Sequence, residues 1–151
     1  MERSAVNHYR MPVPKNLLER MERTSSPVHT GKLRNAIDLI VPENTPVLAA
    51  ANGIVTSVKD DSTIGGPDPI FWKYTNFITI MHPNKEYSRY DHLAPRSSKV
   101  KVGQIVSEGQ EIANVGMTGY TLLPHLHFHV FVFTGSNIWI DFDTIEVEDF
   151  I

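Results

Sequence analysis

Three histidines occupy alternate positions in the sequence PHLHFHV, which covers residues 124–130. Side chains on a β-strand alternate between its two faces, so a strand here would place His125, His127 and His129 on one face and apolar side chains on the other. Their Cα atoms would lie about 6.6 Å apart, close enough for the imidazoles to converge on one ion or one substrate atom. Any one of them alone would more simply be a surface residue, but three on one face predict a metal or catalytic site, since histidine is the commonest metal ligand.

A second unusual residue is Asp38, which lies within the apolar sequence AIDLIV. Burying an unpaired carboxylate costs on the order of several kcal/mol, so we expect Asp38 to be exposed, hydrogen-bonded or bound to a cation. His29 lies nine residues earlier, in VHTGK. Two imidazoles and one carboxylate would complete the protein shell of a catalytic zinc ion, which typically has three protein ligands and one position left for water.

The composition limits the class of protein. The 151 residues, of which 41% are hydrophobic, suit one domain with its own core. A net charge of −3 with mixed signs argues against a nucleic-acid partner, and the absence of cysteine leaves His, Asp and Glu as metal ligands. No apolar segment approaches the roughly 18 residues of a membrane span, and the N-terminus lacks the apolar run of a secretory signal, so we expect no membrane span and the sequence indicates no localisation.

From about residue 37, short β-rich segments alternate with turn residues, which predicts an all-β fold of antiparallel sheets built from repeated hairpins. One hairpin is expected at Asn52–Gly53, because both residues tolerate positive φ. Others are expected at Pro83–Asn84, within residues 100–119 and at Gly135–Ser136. These hairpins would have to bring Asp38 and the histidine strand together.

Residues 1–26 lack this alternation and are predicted to form an N-terminal appendage. Pro14 is expected to open a short helix there, which would end before Pro27. Residues 27–151 would then form the single domain.

Three segments, in this order along the chain, resemble the lysostaphin and LytM type of zinc metallopeptidase, the peptidoglycan endopeptidases. They are VHTGKLRNAIDLIVPENTPVLAAANGIV, YSRYDHL and VKVGQIVSEGQEIANVGMTGYTLLPHLHFHV. The similarity covers about residues 28–133 and includes connecting glycines, and it implies a LytM-like fold. The residues that it implies for the site are His29, Asp38 and His127 as zinc ligands and His92 and His125 as catalytic histidines beside the metal.

One position departs from the compact form of the family motif. That form has its first ligand four residues before the aspartate, where this chain has Arg34. A guanidinium stays protonated and cannot coordinate a metal. A longer form of the motif, with His-x-Gly, several residues and then Ala-x-Asp, resembles HTGKLRNAID and favours His29 as the ligand. The alternative is that the longer spacer points His29 away and leaves a degenerate site.

The resemblance implies a zinc-dependent endopeptidase that hydrolyses peptide bonds, in peptidoglycan stems or cross-bridges, with a metal-activated water. His92 and His125 would orient that water, move its proton and stabilise the oxyanion. The same resemblance implies action in the cell envelope or outside the cell. The partner expected is therefore a peptide or peptidoglycan substrate.

Two other functions remain open. A non-catalytic LytM-like domain could bind cell wall or a partner protein, and the repeated hairpin sequences superficially resemble a biotinyl or lipoyl carrier. The carrier lacks a plausible modified lysine and does not explain the histidine strand. Of the other histidines, His8 and His82 are predicted to be surface residues, and the sequence assigns no role to His129.

Overall fold

The computed structural model describes residues 4–23, 33–137 and 141–151. In chain order the strands are β1 (Arg20–Glu22), β2 (Ile37–Ile40), β3 (Pro46–Leu48), β4 (Gly53–Lys59), β5 (Gly65–Gly66), β6 (Phe77–Met81), β7 (Tyr87–Asp91), β8 (Ile105–Val106), β9 (Glu111–Asn114), β10 (Gly119–Tyr120), β11 (His125–Phe133) and β12 (Phe142–Ile145). Short 3-10 helices lie at Lys15–Leu17, Pro69–Tyr74 and Pro83–Lys85. The predicted all-β fold class is confirmed, and no helix in the described ranges is long and apolar enough to cross a membrane.

The principal element is an eight-stranded sheet in the order β1-β2-β11-β7-β6-β4-β8, with β12 also paired to β11. All of its pairings are antiparallel. β5 and β10 form a small parallel pair, and β3 and β9 an antiparallel one. The central β11 contacts β2 and β12 along one edge and β7 along the other.

The two faces of β11 differ as the sequence predicts. Leu126, Phe128 and Val130 are fully buried in the apolar core. The alternate positions place the three histidines on the opposite face, where they too are buried. The core therefore fixes the strand from one side while the imidazoles are presented together on the other.

Two of the four predicted hairpins are confirmed. β6 and β7 pair across a turn at Pro83–Lys85, in which Asn84 has φ 64°. β11 and β12 pair as the predicted final unit, with the return strand beginning at Phe142.

The other two predicted hairpins are wrong, because the strands beside each turn pair with distant partners. β3 pairs with β9, whereas β4 pairs with β6 and β8, so Asn52–Gly53 separates strands of different sheets. Gly53 is needed for close approach, since a Cβ there would collide with the backbone oxygen of Met81. The Asn52–Gly53 pair therefore marks a position where two segments of the chain approach closely, and not a hairpin turn.

The N-terminal segment, predicted to be an appendage, packs on the sheet. Tyr9, Met11 and Val13 belong to the main apolar core, and β1 pairs with β2. The predicted helix is one 3-10 turn at Lys15–Leu17 without a buried residue. The predicted boundary between residues 26 and 27 lies outside the described residues, and the division into two parts stays a prediction.

Glu86 attaches this segment to the domain. Its fully buried carboxylate accepts hydrogen bonds from the backbone N–H groups of Val6 and Asn7, at 2.7 and 3.1 Å, and from the Tyr9 hydroxyl at 2.9 Å. Burial raises the pKa of Tyr9 well above its ordinary value, so this hydroxyl remains a donor. A buried carboxylate with three donors is stable because its charge is compensated by hydrogen bonds.

Candidate active site

A row of three residues crosses neighbouring strands on the histidine face. Asp38 of β2 lies opposite His127 of β11, which in turn lies opposite Asp91 of β7. All three are buried, and His127 Nδ1 lies 3.0 Å from Asp38 Oδ1. Sheet register thus brings together residues that are far apart in the sequence.

His125 approaches the same carboxylate oxygen, with its Nε2 atom 3.6 Å from Asp38 Oδ1. Its other nitrogen, Nδ1, lies 2.9 Å from the carbonyl oxygen of Leu123 and 3.2 Å from the Thr121 hydroxyl. A carbonyl oxygen can only accept, so Nδ1 of the neutral ring has the hydrogen and Nε2 has the lone pair. Two electron-rich atoms, Nε2 of His125 and the carboxylate oxygen of Asp38, therefore face each other across 3.6 Å.

His92 completes the cluster from the end of β7. Its Nδ1 donates to the carbonyl oxygen of Thr118 at 2.7 Å, so Nε2 lies at the opposite edge of the ring. The ring centroid lies 4.7 Å from that of His125 and 5.9 Å from that of His127. Burial, together with the nearby His125, lowers the pKa of His92 to about 4. The imidazole is therefore neutral near pH 7 and able to accept a proton.

The backbone holds His92 in a conformation that is uncommon for a non-glycine residue, with φ 68°. Its N–H donates to the Thr75 hydroxyl at 3.0 Å, and its carbonyl oxygen accepts from the N–H of Gly116 at 2.8 Å. Gly119, with φ 82°, makes room for this arrangement, since a Cβ there would lie 2.7 Å from Thr75 Cβ and 3.2 Å from His92 Nδ1. The Thr118-Gly119 turn thus positions the His92 ring as well as bending the chain.

The donor set fits a divalent metal. Zinc–nitrogen and zinc–oxygen distances of about 2.0–2.1 Å in a tetrahedron separate neighbouring donor atoms by about 3.4 Å. Asp38 Oδ1 lies 3.0 Å from Nδ1 of His127, close to that value. Donor atoms of His92, His125 and His127 all lie within 4.8 Å of one another. Imidazole nitrogens and a carboxylate oxygen are suitable ligands for zinc.

The first predicted ligand, His29, lies among residues 24–32, outside the described residues. Arg34, which occupies the ligand position of the compact motif, forms a bidentate ion pair with Asp143 of β12, at 2.8 and 3.0 Å. This guanidinium therefore binds a carboxylate, in keeping with its inability to bind a metal. Of the five predicted site residues, the structure brings together Asp38, His92, His125 and His127.

A cavity of about 300 Å³ adjoins the histidines. The residues that line it are Leu33, Trp72, Thr75, Arg89, Asp91, His92, Tyr120, His127, His129, Phe131 and Phe142. Most of this surface is apolar, and the imidazoles of His92, His127 and His129 form part of its lining. A cleft of this kind, apolar with a few placed polar groups, is typical of a binding site for a peptide or small molecule.

The sequence did not identify Arg89 and Asp91, which both line this cavity. Arg89 Nε lies 3.0 Å from Asp91 Oδ2. Burial by itself raises the pKa of Asp91, but Arg89 and His127 outweigh it and hold this pKa well below its usual range. The signal was present in the sequence, because Arg89 and Asp91 are alternate residues of the segment YSRYDHL, directly before His92.

Three further histidines differ in their burial and in their contacts. His8 is exposed, as predicted. The prediction for His82 is wrong, because its ring is buried with Nδ1 2.7 Å from the carbonyl oxygen of Asn52 and Nε2 2.7 Å from the Ser88 hydroxyl. His129 is buried beside His127, with ring centroids 5.6 Å apart, and lines the cavity.

Comparison with known proteins places these residues in context. A model of Peptidase family M23 matches residues 32–138, a range that begins just after His29. Peptidoglycan DD-endopeptidase ShyA of Vibrio cholerae is 35% identical over 98 residues, which are 65% of this chain and 20% of that protein. The chain spans about a fifth to a quarter of the length of the first curated relatives it matches.

Solved structures are similar as well. A zinc-containing peptidase from Vibrio cholerae superposes with a TM-score of 0.59 and 32% identity, covering 85% of this chain and 37% of that chain. The catalytic domain of lysostaphin from Staphylococcus simulans gives a TM-score of 0.53 and 31% identity, covering 68% of this chain and 70% of that one. The range matched by the family model, residues 32–138, includes Asp38, His92, His125 and His127.

Proposed function

Because this chain belongs to peptidase family M23, we propose that it is a zinc-dependent endopeptidase that hydrolyses peptide bonds in peptidoglycan stems or cross-bridges. The observation that supports this most directly is the convergence of His125 and His127 on one oxygen of Asp38 beside an apolar cleft. Relatives named as peptidoglycan DD-endopeptidases support the choice of substrate. Peptidoglycan lies outside the cytoplasm, so the proposed place of action is the cell envelope or beyond it.

In this proposal Asp38 and His127 hold the zinc together with His29. Bound zinc supplies a Lewis acid and lowers the pKa of a water ligand to about 7. Asp38 would compensate part of the charge of the cation, and β2 and β11 would hold the two donors at a fixed separation through their register. Because these ligands are already in position, little free energy is lost in ordering them when the metal binds.

His92 and His125 act as the proton-transfer pair. Each ring donates from Nδ1 to a backbone carbonyl, which keeps the lone pair of Nε2 toward the cluster. Nε2 of one ring can accept a proton from the attacking water, and a protonated ring can then donate to the oxyanion or to the leaving amine. The lowered pKa of His92 keeps this ring in the neutral, proton-accepting form at pH 7.

The cleft would bind the peptide on either side of the scissile bond. Trp72, Tyr120 and Phe131 supply apolar surface along it. A peptide bound in the cleft would therefore lie beside the histidine cluster.

One observation favours the alternative, a non-catalytic domain that binds cell wall or a partner protein. Arg34 stands at the ligand position of the compact motif and is engaged with Asp143. Without His29 in the shell, the two remaining ligands would hold zinc weakly. The identity of the third ligand therefore decides between enzyme and binding domain.

The test combines elemental analysis with hydrolysis of purified peptidoglycan, whose products are identified by mass spectrometry. The proteins compared are the wild type, His29→Ala, Asp38→Ala and, as a matched control, His8→Ala, whose ring is exposed. We expect one zinc ion per chain and new peptide ends for the wild type and the control, and loss of both for the other two variants. Zinc retained by His29→Ala would remove that residue from the shell. Zinc binding without hydrolysis would favour the binding domain.

A further inference from the structure

We propose that Arg89 binds a carboxylate of the peptide substrate within about two residues of the scissile bond. This inference rests on the proposed endopeptidase function and specifies the group that the cleft recognises. Arg89 lies on β7, opposite His129 of β11, and lines the cavity beside the histidine cluster.

Arg89 is the only lysine or arginine among the described residues that line the cavity. The surface around it is largely apolar, as the side chains of Trp72, Phe131 and Phe142 illustrate. In an apolar cleft a single cation with directed N–H groups determines the orientation of the ligand. A substrate that places an anionic group here would gain a charge-assisted hydrogen bond that an uncharged analogue lacks.

The guanidinium is fixed in place before any ligand arrives. Its Nε atom lies 3.0 and 3.2 Å from the two carboxylate oxygens of Asp91, and Nη2 lies 3.0 Å from one of them. Its central carbon lies 4.0 Å from the centroid of the Phe77 ring, so one face of the group is covered. These contacts use the Nε edge and leave the N–H groups of Nη1 and one of Nη2 for a ligand.

The exposed fractions of the Asp91 and Arg89 side chains agree with this assignment of bound and available N–H groups. The Asp91 side chain is 8% exposed and that of Arg89 is 30% exposed. Asp91 is thus the buried anchor, and the guanidinium presents its outer end to the cavity.

The chemistry of the free end selects among the groups that a peptide offers. A planar guanidinium with two neighbouring N–H groups matches a carboxylate in bidentate fashion, whereas a carboxamide can accept with one oxygen only. The register sets the distance, since Arg89 is two residues from Asp91, which is level with His127. Two strand residues span about 6.8 Å, which an extended peptide covers in about two residues.

The first experiment leaves the protein unchanged. The zinc-loaded full chain is given two synthetic peptides that differ only in one group near the cleaved bond, a free carboxylate in one and its carboxamide in the other. We expect kcat/KM to be about 10–100-fold higher for the free acid, because a hydrogen bond between charged groups contributes about 1.5–3 kcal/mol. Equal rates would overturn the role of Arg89 and leave the peptidase proposal intact. Hydrolysis of neither peptide would contradict the peptidase proposal, and calorimetric binding of the same two peptides would then test Arg89.

The second experiment changes the pair. Arg89→Gln alone would leave Asp91 as a buried, uncompensated charge and endanger folding, so the variant is Arg89→Gln with Asp91→Asn. Its matched control is Lys99→Gln with Glu111→Gln, an exposed pair at 2.7 Å outside the cleft. We expect the first double variant to lose the preference for the acid through a raised KM, and the control to keep it. A preference that survives in the first variant would overturn the proposal.

Discussion

Two buried histidines, His82 and His92, have closely similar surroundings and different uses. Each donates from Nδ1 to a backbone carbonyl oxygen at 2.7 Å, and burial lowers the pKa of each. The difference lies in the second nitrogen. Nε2 of His82 lies 2.7 Å from the Ser88 hydroxyl, whereas the corresponding edge of His92 faces the imidazoles of the cluster.

The hydrogen bonds around His82 form one directed chain. The N–H of Ala50 donates to the Tyr90 hydroxyl, which donates to Ser88, which donates to His82, which donates to the carbonyl oxygen of Asn52. Each group in the chain is satisfied, so His82 contributes to stability. His92 has one fixed nitrogen and one that faces a site. Burial and a lowered pKa therefore do not identify a functional histidine, but the surroundings of its second nitrogen do.

The largest effect on activity is expected when His92 is replaced, and the same replacement of His82 is the comparison. We expect His92→Gln to lower kcat/KM for peptidoglycan peptides by about 10²–10⁴-fold, the usual contribution of a proton-transfer group. His82→Gln should leave kcat/KM nearly unchanged and lower the free energy of unfolding by about 1–3 kcal/mol, because it interrupts a buried hydrogen-bond chain. Peptide hydrolysis and urea unfolding measure the two quantities. Similar activity losses in both variants would contradict the comparison.

A second test displaces the His92 ring by changing Gly119, which lies against Thr75 and His92. Gly119→Ala places a methyl group against Thr75 and near His92 Nδ1, and we expect activity to fall by about 10–100-fold as the ring shifts. Gly103→Ala is the matched control, since Gly103 also has positive φ, 91°, and a Cβ there would meet nothing within 4 Å. The control should lose about 1–2 kcal/mol of stability from the positive φ and keep its activity. Activity that is lost equally in both variants would mean that strain alone is responsible.

A third test removes the second partner of His82. Ser88→Ala leaves both His82 Nε2 and the Tyr90 hydroxyl without this contact, so we expect the free energy of unfolding to fall by about 1–3 kcal/mol. Ser107→Ala, at an exposed position, should change it by less than about 0.5 kcal/mol. Urea unfolding at pH 7.5 provides the comparison, and equal stability of the two variants would contradict a structural role for the chain.

The smallest expected effect is on pH dependence. Burial lowers the pKa of folded His82 below its ordinary value of 6.5, so the unfolded chain binds the proton more readily. The stabilisation is complete above pH 6.5 and is lost as the pH falls from there toward the folded pKa, by at most about 1.4 kcal/mol per pH unit. The stability difference between wild type and His82→Gln should therefore shrink from pH 7.5 to pH 5.5. A difference that grows on acidification would reverse the assigned sign.

Features that depend on local periodicity were predictable from the sequence. The alternation of His125, His127 and His129 with apolar residues defined a strand and its two faces, because the side-chain period of a strand is fixed. Asp38 was recognised because an acidic residue in an apolar run needs a partner, and the structure supplies His127. The family and the fold class were predicted correctly from the motifs and their order. The roles of the individual site residues stay predictions.

Features that depend on distant pairing were not predictable. The turn chemistry of Asn52–Gly53 indicates a tight bend, but whether the flanking strands pair with each other depends on β9 and β6 elsewhere in the chain. His82 was misassigned for the same reason, since Ser88 contacts it only after β7 folds back on β6. Arg89 and Asp91 could have been found from local alternation, because in YSRYD they share the strand face opposite to that of Ser88 and Tyr90.

The row Asp38–His127–Asp91 has a consequence for folding accuracy. A slip of one residue between β2 and β11 would turn Asp38 to the opposite face of the sheet and replace it beside His127 with an apolar neighbour. A cation that requires both donors would then bind only the correctly aligned chain and would stabilise that alignment by mass action. Metal binding would therefore favour the correct register of β2 and β11. Copies with a shifted register would lack the metal and would be inactive.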